Sequence, residues 1–242
     1  MGCEYIATGH YAQVRKENGR YVVSKGIDEW KDQSYVLWGL SQECLSRTIF
    51  PMGQYHKKDI KQMAIDRGYE ELATKPESYE ICFIPDNDYR GFLKRKVEGL
   101  EEQVKGGNFI DTKGEVIGTH DGYPFYTIGQ RKLGVSFGLE ASYVIEIKPE
   151  TNEVVVGSKE DLNKQEMVVK GLNYIKYDSI PDNFESLTKV RYKHQGEQSS
   201  LTNMDNEIKV LFHKKVEGIA PGQSAVFYEG NDVLGGGFIA KQ

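Results

Sequence analysis

Cys82 is the residue of this 242-residue chain with the widest chemical reach, and it stands in Ser78-Tyr79-Glu80-Ile81-Cys82-Phe83-Ile84-Pro85. An Ile-Cys-Phe-Ile run suits a buried strand with an inert thiol. It also suits a thiolate or persulfide at a strand end, where Pro85 and the acidic Asp86-Asn87-Asp88 turn stop the sheet and expose the sulfur. Pattern alone leaves both open. Cys3 and Cys44 complete a set of three cysteines, too few and too far apart for a zinc site or a disulfide framework.

His10 follows Gly9 at a strand-to-turn junction, a place where α/β enzymes bring ligands to backbone amides and side chains. A surface histidine is the plainer alternative. Lys31-Asp32-Gln33-Ser34 reads as a polar loop ahead of an apolar Tyr35-Val36-Leu37-Trp38 strand. In Lys189-Val190-Arg191-Tyr192-Lys193, strand alternation sets Lys189, Arg191 and Lys193 on one face and Val190 and Tyr192 on the other. A cationic stripe beside an aromatic can grip an RNA backbone, or can be the solvated outside of a barrel strand. Gly129-Gln130-Arg131-Lys132 puts two cations after a flexible turn. Pro221-Gly222-Gln223 reads as a turn before the Ala225-Val226-Phe227 strand, with Gln223 structural on its own.

The elements that must position these groups change character along the chain. Tyr5 to Ala12 reads as a short apolar strand entering a glycine turn, as at the carboxyl edge of a parallel sheet. Ile60, Met63 and Ala64 fall at helical spacing between Gln54 and Gly68, with Asp59 near the start and Gly68 placed to end the helix. A second helix is predicted over Tyr89 to Val104, with Leu93, Val97, Leu100 and Val104 on one stripe and Arg90, Lys94, Arg95 and Lys96 crowding its first half. From about Gly106 short strands and turns take over. Tyr143 to Ile147 pairs with Val154 to Val156 as a hairpin; Leu187 to Lys193 is set against Glu207 to Phe212, and Ser224 to Tyr228 against Leu234 to Ile239. The last third is therefore expected to be an antiparallel barrel or sandwich.

Hydrophobic residues make up 38% and charged residues 28%, a composition that can bury a core. No run of eighteen apolar residues is present and the first residues show no signal pattern, so the chain reads as cytoplasmic with no membrane partner. A net charge of -5 argues against a general nucleic-acid coat but leaves room for a local basic patch. One strand and one helix are too few to cover both faces of a parallel sheet, so the chain reads as starting midway through a domain.

Taken together, the segments resemble the tRNA-specific 2-thiouridylase family. The resemblance is carried by Ala7-Thr8-Gly9-His10-Tyr11-Ala12, Lys31-Asp32-Gln33-Ser34-Tyr35, Phe50-Pro51-Met52-Gly53, Glu80-Ile81-Cys82-Phe83-Ile84, Gly118-Thr119-His120-Asp121-Gly122 and Tyr126-Thr127-Ile128-Gly129-Gln130-Arg131-Lys132, then Ala220-Pro221-Gly222-Gln223 and Leu234-Gly235-Gly236-Gly237. It implies an α/β remnant of a pyrophosphatase-loop (adenine-nucleotide hydrolase-like) domain at 1–88, a small β-rich central tRNA-binding domain at 89–162 and a C-terminal antiparallel β-barrel at 163–242.

The same resemblance implies adenylation of the uracil C2 oxygen by ATP, with Mg2+ accompanying it and no permanently bound metal. A persulfide sulfur then displaces AMP to leave 2-thiouridine at the wobble position. Cys82 matches the persulfide-bearing cysteine, Gly9 a residue at the ATP site, and His10, Lys31, Asp32, Gln33, Arg191, Tyr192 and Gln223 match tRNA-contacting positions. The sulfur is expected from a relay ending in a persulfide carrier or a cysteine desulfurase. Two departures stand out. No Ser-Gly-Gly-x-Asp-Ser loop occurs in these residues, and neither Cys3 nor Cys44 sits in the motif of the partner cysteine that forms a disulfide with the persulfide cysteine. The glycine-rich stretch usual after the Arg-Lys pair appears as the variant Leu133-Gly134-Val135-Ser136-Phe137-Gly138. The chain is thus expected to be a truncated, inactive portion of the enzyme. A stand-alone RNA-binding module without catalysis is the alternative.

Overall fold

The computed structural model describes residues 2–75, 84, 86, 88–133 and 142–241. Cys82 with its flanking residues 80–83, and the 134–138 stretch, lie outside the described residues. The chain forms two compact units: residues 1–75 fold together with 165–215 and 220–242, and residues 76–164 with 216–219 form the other.

In the first unit β1 (Ile6–Ala7) is followed by a hairpin of β2 (Ala12–Glu17) and β3 (Arg20–Lys25). The turn Asn18-Gly19 has positive φ at both residues, the geometry that matches the twist of the strands it joins. Next come α1 (Gln42–Ser46), capped by the Ser41 hydroxyl on the Cys44 N–H, and β4 (Thr48–Ile49). β4 pairs with β1 in parallel, Ile6 opposite Thr48 and Ala7 opposite Ile49, which bears out the expected parallel-sheet edge. α2 (Lys57–Asp66) carries Asp59 in its first turn and ends before Gly68 at φ 80°, as its spacing predicts, and α3 (Glu70–Thr74) follows.

The Tyr35–Trp38 stretch is not a strand. Ser34–Leu37 form a 3-10 turn. A strand would send Trp38 to the face opposite Tyr35 and Leu37, whereas the core takes all three and leaves Val36 outside. Only a curved backbone satisfies that demand, and the Asp32 carboxylate starts it by accepting the Ser34 N–H at 3.1 Å.

The second unit opens with α4 (Tyr89–Lys96) and α5 (Leu100–Val104) where one helix was predicted. Val97 is extended and Gly99 adopts φ 69°, so the helix stops and restarts. The break turns Leu100 and Val104 into the core with Leu93 packed against them, while Val97 leaves the stripe and is exposed. The strands β5 (Gly107–Ile110), β6 (Val116–His120), β7 (Tyr143–Lys148) and β8 (Glu153–Gly157) form a sheet in the order β6-β5-β8-β7. The β7–β8 hairpin matches the sequence reading, and β5 pairs with β8 in parallel. Phe109, Phe125, Tyr126, Leu133, Val144, Val154 and Val156 fill the core.

The remaining strands are β9 (Asn163–Tyr174), β10 (Phe184–Lys189), β11 (Glu197–Met204), β12 (Glu207–Glu217), β13 (Ser224–Glu229) and β14 (Asp232–Ile239). They run β13-β10-β11-β12-β9-β14 and close where β13 pairs with β14, a six-stranded antiparallel barrel with no free edge. The β13–β14 hairpin is the one read from sequence. The pairing of Leu187 to Lys193 with Glu207 to Phe212 is corrected: β11 lies between β10 and β12. Its run Glu-Gln-Ser-Ser-Leu-Thr-Asn-Met hides a strand because two of its inward positions are serine and leucine, Ser199 and Leu201, which give little apolar alternation. β10 also ends at Lys189, so Val190 to Lys193 form a turn in which the His194 N–H reaches the Arg191 carbonyl at 3.0 Å. The cationic alternation over 189–193 therefore does not exist as a strand face.

Beyond the barrel, β3 extends the sheet from β14 through Ser24 opposite Asp232, and β2 forms its outer edge. One core joins Ala12, Val23, Tyr35, Leu37, Trp38, Leu45 and Phe50 to Ile175, Val226, Tyr228 and Val233. Gly235, Gly236 and Gly237 are required by this closure. A Cβ at each would strike the backbone of β9 or β13, and at Gly236 also the Trp38 ring.

Candidate nucleic-acid interface

The polar loop after β3 is folded by its own side chains. Asp32 accepts the Gly26 N–H at 3.2 Å and the Ser34 hydroxyl at 2.9 Å, besides the Ser34 N–H. Gln33 and Tyr11 hold each other, the Tyr11 N–H reaching the Gln33 Oε1 at 3.0 Å and the Gln33 N–H the Tyr11 carbonyl at 2.9 Å. His10 is thereby fixed one residue away; its Nδ1 lies 2.9 Å from the Thr8 hydroxyl and its ring meets the edge of Phe50. Gly9 is exposed and a Cβ there would meet nothing within 4 Å.

The same loop touches the barrel. The Ser34 hydroxyl lies 3.1 Å from the Tyr228 hydroxyl, whose ring is 1% exposed. Two ammonium groups cover that ring, the Nζ of Lys25 at 5.0 Å and of Lys189 at 5.5 Å from its centroid. Burial raises the Tyr228 phenol and lowers the Lys189 ammonium from their ordinary values. Tyr35 donates its hydroxyl to the Ser224 carbonyl at 2.8 Å, and burial pushes its phenol up to about 12. Its ring meets Tyr192 edge-on at 6.2 Å. Tyr192 is about half-exposed, with its phenol raised by burial and by the nearby Asp32 charge. Gln223, beside Ser224, closes a turn in which its N–H bonds the Ala220 carbonyl and its own carbonyl takes the Ile239 N–H.

The fold thus gathers Lys31, Asp32, Gln33, Tyr192 and Gln223 around Tyr35 and Ser224, with His10 tied in through Tyr11. Arg191 is exposed next to Tyr192. Cys82 lies outside the described residues. Sequence reasoning passed over Lys25 and Tyr228, whose contact depends on two side chains more than 200 residues apart in sequence meeting; no local pattern marks them. An arrangement of cations, an exposed aromatic ring and fixed amide groups can hold a phosphate backbone and stack a base.

Comparison with known proteins places the chain in a family. The chain is 58% identical over 241 residues to the tRNA-specific 2-thiouridylase MnmA of Cytophaga hutchinsonii, covering 99% of this chain and 65% of that protein. It is 57% identical to the protein of that name from Amoebophilus asiaticus, over 99% of this chain and 64% of that one. A Clostridium botulinum relative, tRNA-specific 2-thiouridylase MnmA 2, is 44% identical over all of this chain and 67% of its own length. The chain belongs to the tRNA-specific 2-thiouridylase family. Three family models match in order: the tRNA methyl transferase HUP domain at residues 1–86, the tRNA methyl transferase PRC-barrel domain at 91–158 and the aminomethyltransferase beta-barrel domain at 164–239. The chain spans just under two thirds of the first two relatives it matches. Among the described residues no helix is long and apolar enough to cross a membrane.

Proposed function

We propose that this chain is the tRNA-gripping and sulfur-accepting portion of an enzyme that makes 2-thiouridine at the wobble position of tRNA. The observation that carries this is the convergence of Lys31, Gln33, Tyr192 and Gln223, from three distant stretches of chain, around one Tyr35–Ser224 contact. Arg191, Tyr192, Gln223 and His10 contact the tRNA, and Cys82 carries the persulfide received from a cysteine desulfurase or its carrier. A persulfide is acidic enough to attack as an anion near neutral pH, where an ordinary thiol is mostly protonated. Asp32 and Gln33 contribute by shaping the loop, since the Asp32 carboxylate and the Gln33 Oε1 already accept internal hydrogen bonds.

ATP is the activating co-substrate this reading calls for. Of the described residues only Gly9 was expected near it, and open space around that glycine leaves room without supplying groups that hold phosphates. The 242 residues contain no Ser-Gly-Gly-x-Asp-Ser loop. The chain alone is therefore expected to bind tRNA without completing thiolation.

Titration of unmodified tRNA against the chain at several salt concentrations tests the reading. Arg191→Gln is expected to weaken binding and to reduce the log–log salt slope by about 1. A parent chain with no measurable tRNA affinity at low salt would remove it.

A further inference from the structure

Trp30 is 92% exposed, while the other tryptophan, Trp38, is 8% exposed in the core. An indole is the side chain with the most to gain from a contact surface, and this one has no ring or cation partner among the described residues. Nor is its loop loose. The Ile27 N–H donates to the Gly53 carbonyl at 3.0 Å and the Lys31 N–H to the Asp28 carbonyl at 3.0 Å. The Asp28 carboxylate accepts the Lys57 N–H at 2.9 Å, and Asp32 and Gln33 tie down the far end. The backbone thus presents the indole outward on a fixed support, one residue before Lys31 and on the loop whose other end builds the Tyr35–Ser224 contact.

Its setting selects the kind of occupant. Asp28, Glu29, Lys31 and Asp32 surround Trp30 in sequence, with Ile27 the one apolar neighbour on the loop. A protein partner would seek a broader apolar patch around such an anchor. A flat ring standing alone among polar groups suits stacking against another flat ring, which needs only the π-face.

We propose that Trp30 is a stacking platform for an unpaired nucleobase of the bound RNA. This rests on the RNA-binding reading above. Preorganisation on a pinned loop means that little ordering is lost when the base arrives.

The two tryptophans make the test direct. Trp30 emission in this chain is expected to be quenched on titration with unmodified tRNA, and Trp30→Ala is expected to abolish that quenching. The same variant should weaken tRNA binding roughly 5- to 100-fold, while Trp30→Tyr retains most of the affinity. Because the side chain is exposed, the melting temperature of either variant should match the parent. If the parent binds tRNA and Arg191→Gln weakens it, but Trp30 emission and the Trp30→Ala affinity are unchanged, the platform is refuted and the RNA-binding reading stands. A parent that binds no tRNA refutes both. A concentration-dependent blue shift without RNA, lost in Trp30→Ala, would assign the indole to a protein surface and overturn the proposal.

Discussion

Tyr11 and Gln33 exchange two hydrogen bonds, backbone to side chain at 3.0 Å and backbone to backbone at 2.9 Å, across 22 residues. The pair couples the segment bearing Gly9 and His10 to the loop bearing Lys31. Gln33→Met keeps the volume and removes the side-chain acceptor of the Tyr11 N–H. A loss of about 1–2 kcal/mol is expected in urea unfolding, together with weaker tRNA binding. Unchanged stability would show that the contact does not hold the loop.

Gly53, in the Phe50-Pro51-Met52-Gly53 motif, packs directly on β2. A Cβ there would land on the Ala12 carbonyl, a backbone atom that cannot rotate away. Gly53→Ala should cost about 1–3 kcal/mol as overpacking. Because the Gly53 carbonyl also receives the Ile27 N–H, the tryptophan loop should loosen too, visible as faster amide exchange at Ile27.

Cys82 is to be tested by intact mass after incubation of the chain with a cysteine desulfurase and cysteine. One added sulfur atom, absent in Cys82→Ser, is the expected outcome. Sulfur found on the exposed Cys3 or Cys44 instead, or nowhere, would favour an RNA-binding module without catalysis.

His120 gives the second unit a pH dependence. Burial lowers its imidazole from the ordinary value, and the Gly122 N–H donates to its Nδ1 at 3.0 Å, which places the ring proton on Nε2. The folded state prefers the neutral ring. Its contribution is complete above the unfolded value near about 6.5 and is lost as pH falls toward the lowered folded value. The thermal stability of the second unit should therefore fall as pH drops below the ordinary imidazole value, and His120→Gln should flatten that limb. An equally steep limb in the variant would assign the effect elsewhere.

Sequence showed most clearly what local chemistry decides. The α2 helix, the β7–β8 and β13–β14 hairpins and the turns at Gly129 and Gly222 follow from glycine placement and apolar period, and the structure has each of them. It misled where tertiary demand overrode period. The core claimed Tyr35, Leu37 and Trp38 together, Gly99 broke a helix whose stripe read as continuous, and Ser199 concealed β11. The candidate site residues were nominated through motif resemblance. Their geometry was not legible, because Tyr35 meets Ser224, and Ser34 meets Tyr228, only after about 190 residues of intervening chain have folded.

That long separation has a kinetic side. Residues 12–50 share a core with residues 175–233, and β3 reaches the barrel through the Ser24–Asp232 pairing. During synthesis the early segment must wait for β13 and β14 before its apolar side chains have their permanent neighbours. At about 5–20 residues per second that is on the order of ten to forty seconds with Trp38, Leu45 and Phe50 incompletely covered. Non-local closure of this kind folds slowly. The newborn chain is thus at its most aggregation-prone until β13 and β14 have emerged, and its yield in cells should respond to chaperone supply and growth temperature more than its final stability would suggest.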